Sequence, residues 1–434
     1  MALESKKEGN VITKLASAIK LPMAARARQL LDHSHYETVE IPEIAMSELR
    51  KSGMAERIRP GMSVAITCGS RGVANIALLT RTIVEFVKEC GGEPFVFPAM
   101  GSHGGATVPG QLAILDSYGV TEEFIGCPIR ATMEVDEIGR TPEDKPVYWD
   151  RYANAADAVI LCGRVKAHTA FRGPYESGIL KMAVIGAGKQ AGAEAVHADG
   201  FKEMGKNLPI LAKVIFDNCK VIGALATVEN AFDETCLLKA MVKEDIWEEE
   251  PKLLTYSKTR LGKIFFDPID VLVVDKLGKD ISGDGMDPNV TGRWAVPWIS
   301  GPIDVQRIAV LDLTEATHGN CNGIGLADVT TKRLVDKVDV DCTYPNVFTS
   351  TVMCTPKIPF FCHSDRAAIQ TAVRSCNFID KENPRIVRIK DTMRLEEIWI
   401  SEALYREVEA GRNPNIELLS GLQPWPFDEE GNLF

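Results

Sequence analysis

The stretch MSVAITCGSRGVANIALLTRTIVEFVKECGGEPFVFPAM, residues 62–100, holds one complete unit of the alternation that runs through the chain. MSVAIT (62–67) is a short apolar run bounded by polar residues, which reads as a buried strand. The loop CGSRGVAN follows. NIALLTRTIVEFVKEC (75–90) then has apolar residues at helical spacing and stops at Gly91-Gly92. PFVFPAM (94–100) is the next strand, followed by the loop GSHGG and a helix from about Thr107, a residue suited to an N-cap. ADAVILCGRV (156–165) repeats the strand pattern and runs into KAHTAFRGP. Strands alternating with helices predict an α/β protein with mainly parallel sheets flanked by helices.

The pattern restarts late in the chain. IDVLVVDK (269–276), VQRIAVLDL (305–313) and PRIVRIK (384–390) read as strands, with helices near 328–337 and 364–376. The charged stretch KEDIWEEEPKLL (243–254) resembles a boundary, placed near residue 260. The expected organisation is therefore an N-terminal α/β domain, 1–260, carrying the reactive loops, and a C-terminal α/β domain, 261–434. The active-site cleft is expected between them, with the last residues packing back on the first domain. A length of 434 residues suits two such cores.

Composition narrows the functions. A formal charge of -11 speaks against a nucleic-acid platform, which needs a basic face. A small anionic substrate remains compatible, because a local basic pocket can sit in an acidic protein. The N-terminus MALESKKEGNVITKLASAIK has no apolar core of a signal peptide. No apolar run reaches the roughly twenty residues of a membrane span. The eleven cysteines, scattered from Cys68 to Cys376 without C-x-x-C or zinc spacing, read as reduced core thiols. Together these predict a cytoplasmic protein without nucleic-acid or membrane partners.

Ligands of open α/β sheets bind outside the carboxyl ends of strands. Three loops here leave such ends with reactive side chains: Ser70 and Arg71 in GSRGV, His103 in GSHGG, and Lys166, His168 and Arg172 in RVKAHTAFRGP. The chain has only seven histidines, and two occupy these loops. His33 and His35 lie in a polar segment and read as surface residues. His318 and His363 follow strands of the second half and carry less weight. In GILKMAVIGAGKQAGAEAVHADG (178–200), Gly186, Gly188 and Ala191 fit G-x-G-x-x-A. A dinucleotide site would also need a preceding strand and an acidic residue at the next strand end, which Glu203 in FKEMGKN does not supply. A phosphate-cradling loop fails as well, because Gln190 follows Lys189 where Ser or Thr is needed. GKDISGDGMDPNVTGR (278–293) does not space Asp280, Asp284 and Asp287 as a calcium loop would. It reads as a long functional loop in which Lys279 and Arg293 could meet an anion.

Taken in order, Ser70-Arg71, GSHGG, KAHTAFRG, GILK and His197 resemble the lactate racemase family of nickel-pincer-nucleotide enzymes, most strongly over residues 60–200. The resemblance implies a cofactor, the nickel(II) pyridinium-3-thioamide-5-thiocarboxylic acid mononucleotide, which holds nickel through one carbon and two sulfurs. Lys181 would attach it covalently and ligate nickel through the thioamide sulfur. His197 would supply the remaining ligand through an imidazole nitrogen. Ser70, Gly186 and Gly188 would bind the cofactor. Arg71 would hold the substrate carboxylate with its fork geometry, with Lys279 a second substrate contact. His103 and His168 match the paired acid/base positions. Cofactor-synthesis proteins would be partners. The chain departs from the family pattern in two places. Cys68 and Gly69 stand where an Asp usually precedes the Arg, and GKDISGDGMDPN resembles a divergent branch rather than the lactate enzymes.

The implied chemistry accounts for two histidines. The carbon–hydrogen bond of a 2-hydroxy acid resists deprotonation beside a carboxylate. Removing hydride while a base takes the hydroxyl proton gives a neutral ketone, and returning hydride to the other face inverts the centre. Histidine's pKa suits both directions. The expected function is thus a racemase or epimerase of 2-hydroxy acids. Two other readings stand beside it: an NAD(P)-dependent hydroxy-acid dehydrogenase using GAGKQA, and a non-catalytic cofactor-binding protein.

Overall fold

Strand Ser63–Cys68 pairs in parallel with Glu93–Pro98 on one side and with Ala158–Arg164 on the other. Val221–Glu229 continues the sheet in parallel and Thr235–Val242 closes it antiparallel, giving five strands. Period-two alternation sends successive side chains to opposite faces. Ala65, Phe95, Phe97, Val159 and Leu161 pack with Ile179, Leu208, Leu211 and Ile215. Val64, Ile66, Val96 and Ile160 pack with Ile41, Leu49, Leu79, Ile83 and Val87. Both faces are covered by helices, as a parallel sheet requires. Helix Ile76–Glu89 occupies the stretch where the apolar spacing places one. Helix Val108–Ser117 begins after Thr107, whose side chain accepts from the Gly110 N–H as an N-cap.

The second sheet has eight strands. In order they are Phe360–Cys362, Val329–Thr331, Val305–Leu313, Ile269–Leu277, Ile386–Ile389, Glu397–Ser401, Ala24–Gln29 and Ile416–Leu418. The first five are mutually parallel and the last three run antiparallel. Helix Asp365–Ser375 packs Ala368, Ile369, Ala372 and Val373 on this sheet.

The computed structural model describes residues 11–70 and 72–434, and its chain divides into two units. One spans His33–Leu261; the other joins the described residues up to Asp32 with Gly262–Phe434. The grouping of 1–260 expected from the sequence thus differs at its start. Strand Ala24–Gln29 exchanges hydrogen bonds with Glu397–Ser401 and Ile416–Leu418, which ties it to the second sheet. The chain's last residues return to this strand, with Ala24 and Gln423 paired and Trp425 Nε1 donating to the Pro22 carbonyl. Most of the charged stretch 243–254 lies in helix Ile246–Arg260, which buries Ile246, Glu250, Leu253 and Leu254, and the units divide just after it, between Leu261 and Gly262.

The dinucleotide reading of GAGKQA loses its structural basis. Helix Ile179–Lys181 runs into a π-helical turn, Met182–Gly186, and then into helix Lys189–His197. No strand leads into Gly186 and Gly188, so their glycines do not form the strand-to-helix turn that cradles a pyrophosphate. All eleven cysteines are free thiols. Burial pushes the Cys68 thiol up to about 12, consistent with an inert core group. Among the described residues, no helix is long and apolar enough to cross a membrane.

Candidate active site

The first three candidate loops leave neighbouring strands at one end of the five-stranded sheet. Strand Ser63–Cys68 leads to Ser70, Glu93–Pro98 to His103, and Ala158–Arg164 to His168. The chain crosses from the first strand to a neighbour on one side and later returns to the other side. Such a reversal opens a crevice at the carboxyl ends. Arg71 lies outside the described residues.

The first two loops meet directly. Ser70 Oγ lies 2.5 Å from His103 Nδ1. Glu229, at the end of Val221–Glu229, steadies the Ser70 loop by accepting from the Ala74 N–H at 2.8 Å while pairing with Arg164. The His103 loop is fixed from behind. Gly104 has φ +69°, and a Cβ there would lie 2.5 Å from the Gly110 backbone, so the turn after His103 demands glycine. Gln111, fully buried, donates to the carbonyls of Gly101 (3.0 Å) and His103 (3.3 Å). Lys189 donates to Gln111 Oε1 at 3.4 Å and to the Pro98 carbonyl, and pairs with Asp150 at 3.1 Å. Both charged groups are fully buried. Burial lowers the Lys189 pKa and raises that of Asp150, and each partner opposes the other's shift.

His168 is held by a carboxylate that sequence reading missed. Its N–H donates to Glu176 Oε2 at 2.7 Å. Glu176, almost wholly buried, also receives Arg172 (3.1 Å) and Lys258 (2.7 Å). Arg172 donates in turn to the His168 carbonyl at 2.7 Å. The ring is oriented by Ala170, whose N–H donates to His168 Nδ1 at 3.0 Å.

The helical run that carries Lys181 and His197 packs against the first two loops. A Cβ at Gly69 would lie 2.8 Å from Met182 Cε, so the residue after Lys181 packs beside the Ser70 loop. Gly186 approaches the His103 loop closely. Its carbonyl accepts from the Gly101 N–H at 3.1 Å, and a Cβ on it would lie 2.7 Å from the Ala99 carbonyl oxygen. Gly188 faces the Val184 carbonyl, where a Cβ would overlap at 2.2 Å. Both glycines therefore serve close backbone packing. Phe201 lies between two histidines, its ring centroid 6.0 Å from His168 and 5.4 Å from His197. His197 Nδ1 donates to the Ala193 carbonyl at 2.6 Å, which leaves the lone pair on Nε2.

Glu250 supports the Lys181 turn from below. It is fully buried, and Oε2 accepts from the Leu180 N–H at 3.0 Å. Burial raises its pKa to about 8, against the pull of the Leu180 and Ile179 N–H groups. Among the described residues its Oε1 has no hydrogen-bond partner.

The remaining candidates have partners of their own. His33 and His35 are exposed; His33 stacks on Phe232 at 3.6 Å and His35 pairs with Glu37 and Glu234. Lys279 belongs to the other unit, where its ammonium donates to the Gly283 carbonyl at 2.6 Å. Arg293 pairs with Asp328 at 3.1 Å. Among the described residues, no group of three or more His, Cys, Asp or Glu side chains is placed to hold a metal ion by itself.

The chain matches no family model and no curated protein sequence. Among solved structures it is similar to the lactate racemase apoprotein from Thermoanaerobacterium thermosaccharolyticum, with a TM-score of 0.49 and 11% identity over 86% of this chain and 99% of that one.

Proposed function

We propose that this protein is a racemase or epimerase of 2-hydroxy acids, working by reversible proton-coupled hydride transfer with a nickel-pincer nucleotide attached at Lys181. The observation that carries the reading is one convergence. Adjacent strand ends carry the loops of Ser70, His103 and His168. The helical run that holds Lys181 and His197 packs against the first two of these loops through Met182 and Gly186, with Phe201 touching the rings of His168 and His197; this supports the reading. The residues fit the group. Metal-bound imidazoles characteristically donate their other ring N–H to a carbonyl, as His197 does to Ala193. Lys181 sits on a turn whose N–H groups are held from below by Glu250.

When bound, the nucleotide supplies a carbon that accepts hydride from the substrate and returns it. The chain's own residues do the rest. Arg71 takes the substrate carboxylate through paired hydrogen bonds. His103 and His168 attend the substrate oxygen, whose proton must leave as hydride leaves carbon. Phe171 and Phe201 pack against the His168 ring.

Deuterium at C2 tests this reading. Protein co-produced with the cofactor-synthesis proteins is incubated with enantiopure [2-²H]-hydroxy acids, from lactate to sugar acids. Inversion with the label retained at carbon is expected for at least one acid, with no added oxidant. Loss of the label to water would instead mean proton abstraction. Net oxidation with NAD(P) would favour a dehydrogenase, and a loaded protein that inverts no acid would be a carrier.

A further inference from the structure

The turn that carries Lys181 is capped from elsewhere in the chain. It starts at Gly178, which brings no side-chain acceptor to the first N–H groups of Ile179–Lys181. Ile179 and Leu180 are fully buried, where an unpaired N–H is costly. Glu250 of helix Ile246–Arg260, 70 residues beyond Leu180, supplies the acceptor. Its Oε2 accepts at 3.0 Å from Leu180, the second residue of the turn, where a capping oxygen ordinarily bonds. We infer that Glu250 and Gly178 act as one device: the carboxyl caps the turn, the glycine makes room for it, and loading of the nucleotide at Lys181 depends on the pair.

Gly178 serves space rather than conformation. A Cβ on it would overlap Glu250 Oε1 and lie 2.8 Å from Cδ. Its backbone is extended, with φ 179°, a shape open to any residue. The carboxyl has little room to step aside. Glu250 is fully buried, and its helix is tied to the same stretch of chain before and after it. Tyr175 donates to the Trp247 carbonyl at 2.8 Å, and Lys258 pairs with Glu176 at 2.7 Å. A side chain at 178 would therefore push the carboxyl off the Leu180 N–H.

Lys181 follows Leu180 directly, so an ordered first turn fixes where its side chain leaves the backbone. Further on, Met182 packs beside Gly69, and Gly186 lies against the Ala99 carbonyl. The run is thus held at its far end by the strand-end loops and at its near end by Glu250. An end that loses its cap frays. Glu250 acts through Leu180, which makes it a positioning residue. The inference rests on the proposed nucleotide at Lys181 and adds what the motif GILK needs around its lysine.

Hydrogen exchange in the full-length apoprotein reads the cap without the nucleotide. Glu250→Ala should speed exchange of the 179–186 amides by roughly tenfold, with helix Ile76–Glu89 unchanged as an internal reference. Glu250→Gln keeps an acceptor oxygen and should restore most of the protection. Gly178→Ala should act like Glu250→Ala, and the two together should be no worse than either, because both lose the same bond. Gly178→Ser added to Glu250→Ala supplies a local capping hydroxyl and should recover protection. Losses that add in the Gly178→Ala, Glu250→Ala double variant, or equally fast exchange in Ile76–Glu89, would overturn the inference.

Intact mass after co-production with the cofactor-synthesis proteins reads loading. The fraction of chains with an adduct at Lys181 should fall about fivefold or more in Glu250→Ala and in Gly178→Ala. It should return in Glu250→Gln and when Gly178→Ser is added to Glu250→Ala. Undiminished loading of a variant whose turn exchanges fast would overturn the link to the nucleotide. Wild-type protein that takes up no adduct would instead fell the proposed function and the loading role with it, and exchange would then decide the cap by itself.

Discussion

Glu250 shows how one buried group can couple the site to stability. Its carboxyl is fully buried, with a pKa raised by burial to about 8. A folded-state pKa above the unfolded value means that the folded state binds the proton more tightly. The stabilisation linked to that proton is therefore complete below the ordinary carboxylate range, and falls as pH rises through about 8. The melting temperature should decline between pH 6 and pH 9. Glu250→Gln, which keeps a neutral acceptor for the Leu180 N–H, should flatten that decline. An unchanged slope in Glu250→Gln would assign the pH dependence to another group. Glu176 accepts from Arg172, from Lys258 of helix Ile246–Arg260 and from the His168 N–H, and so ties the His168 turn to that helix.

At the scale of elements, Lys189 joins helix Lys189–His197 to strand Pro146–Asp150 and, through Gln111, to the turn carrying His103. Removing one member of a buried ion pair leaves an uncompensated charge. Lys189→Met alone should therefore destabilise by about 3–5 kcal/mol, and adding Asp150→Asn should recover part of the loss. Denaturant midpoints of Lys189→Met, Asp150→Asn and the double variant check this; a double variant as unstable as the two single losses summed would contradict the pairing. The same element shows what the sequence discloses and what it hides. Strand–loop–helix units around 62–100 are legible because apolar periodicity reports local burial directly. Ser70, His103 and His168 are legible because they follow strand ends. The glycines of GAGKQA mislead, since close packing of a π-turn against the Ala99 carbonyl demands glycine as strongly as a phosphate would. Glu176, Glu229 and Glu250 are invisible to such reading. Their roles arise from contacts 8, 155 and 70 residues along the chain, respectively, with no local signature. Strand Ala24–Gln29, AARARQ, looks polar because its partly exposed arginines alternate with small buried alanines.

At the scale of the whole molecule, that strand gives a test of how the chain is divided. It lies between Glu397–Ser401 and Ile416–Leu418 in a sheet otherwise built from residues beyond 261. Deleting residues up to Gln29 should expose the 262–434 portion to proteolysis while leaving 33–261 resistant. Mass spectrometry of the fragments would read this directly, and equal loss of both portions would contradict it. The site residues Ser70, His103, His168, Lys181 and His197 all belong to the unit His33–Leu261. The central claim is that Lys181 and His197 of this unit hold a nickel-pincer nucleotide, and intact mass with nickel analysis addresses it most directly. Protein co-produced with the cofactor-synthesis proteins should carry a covalent adduct that maps to Lys181, with nickel approaching one per chain. The adduct should be absent from Lys181→Ala, and nickel should be lost from His197→Ala. Wild-type protein that emerges from the same co-production unmodified at Lys181, with nickel far below one per chain, would contradict the account.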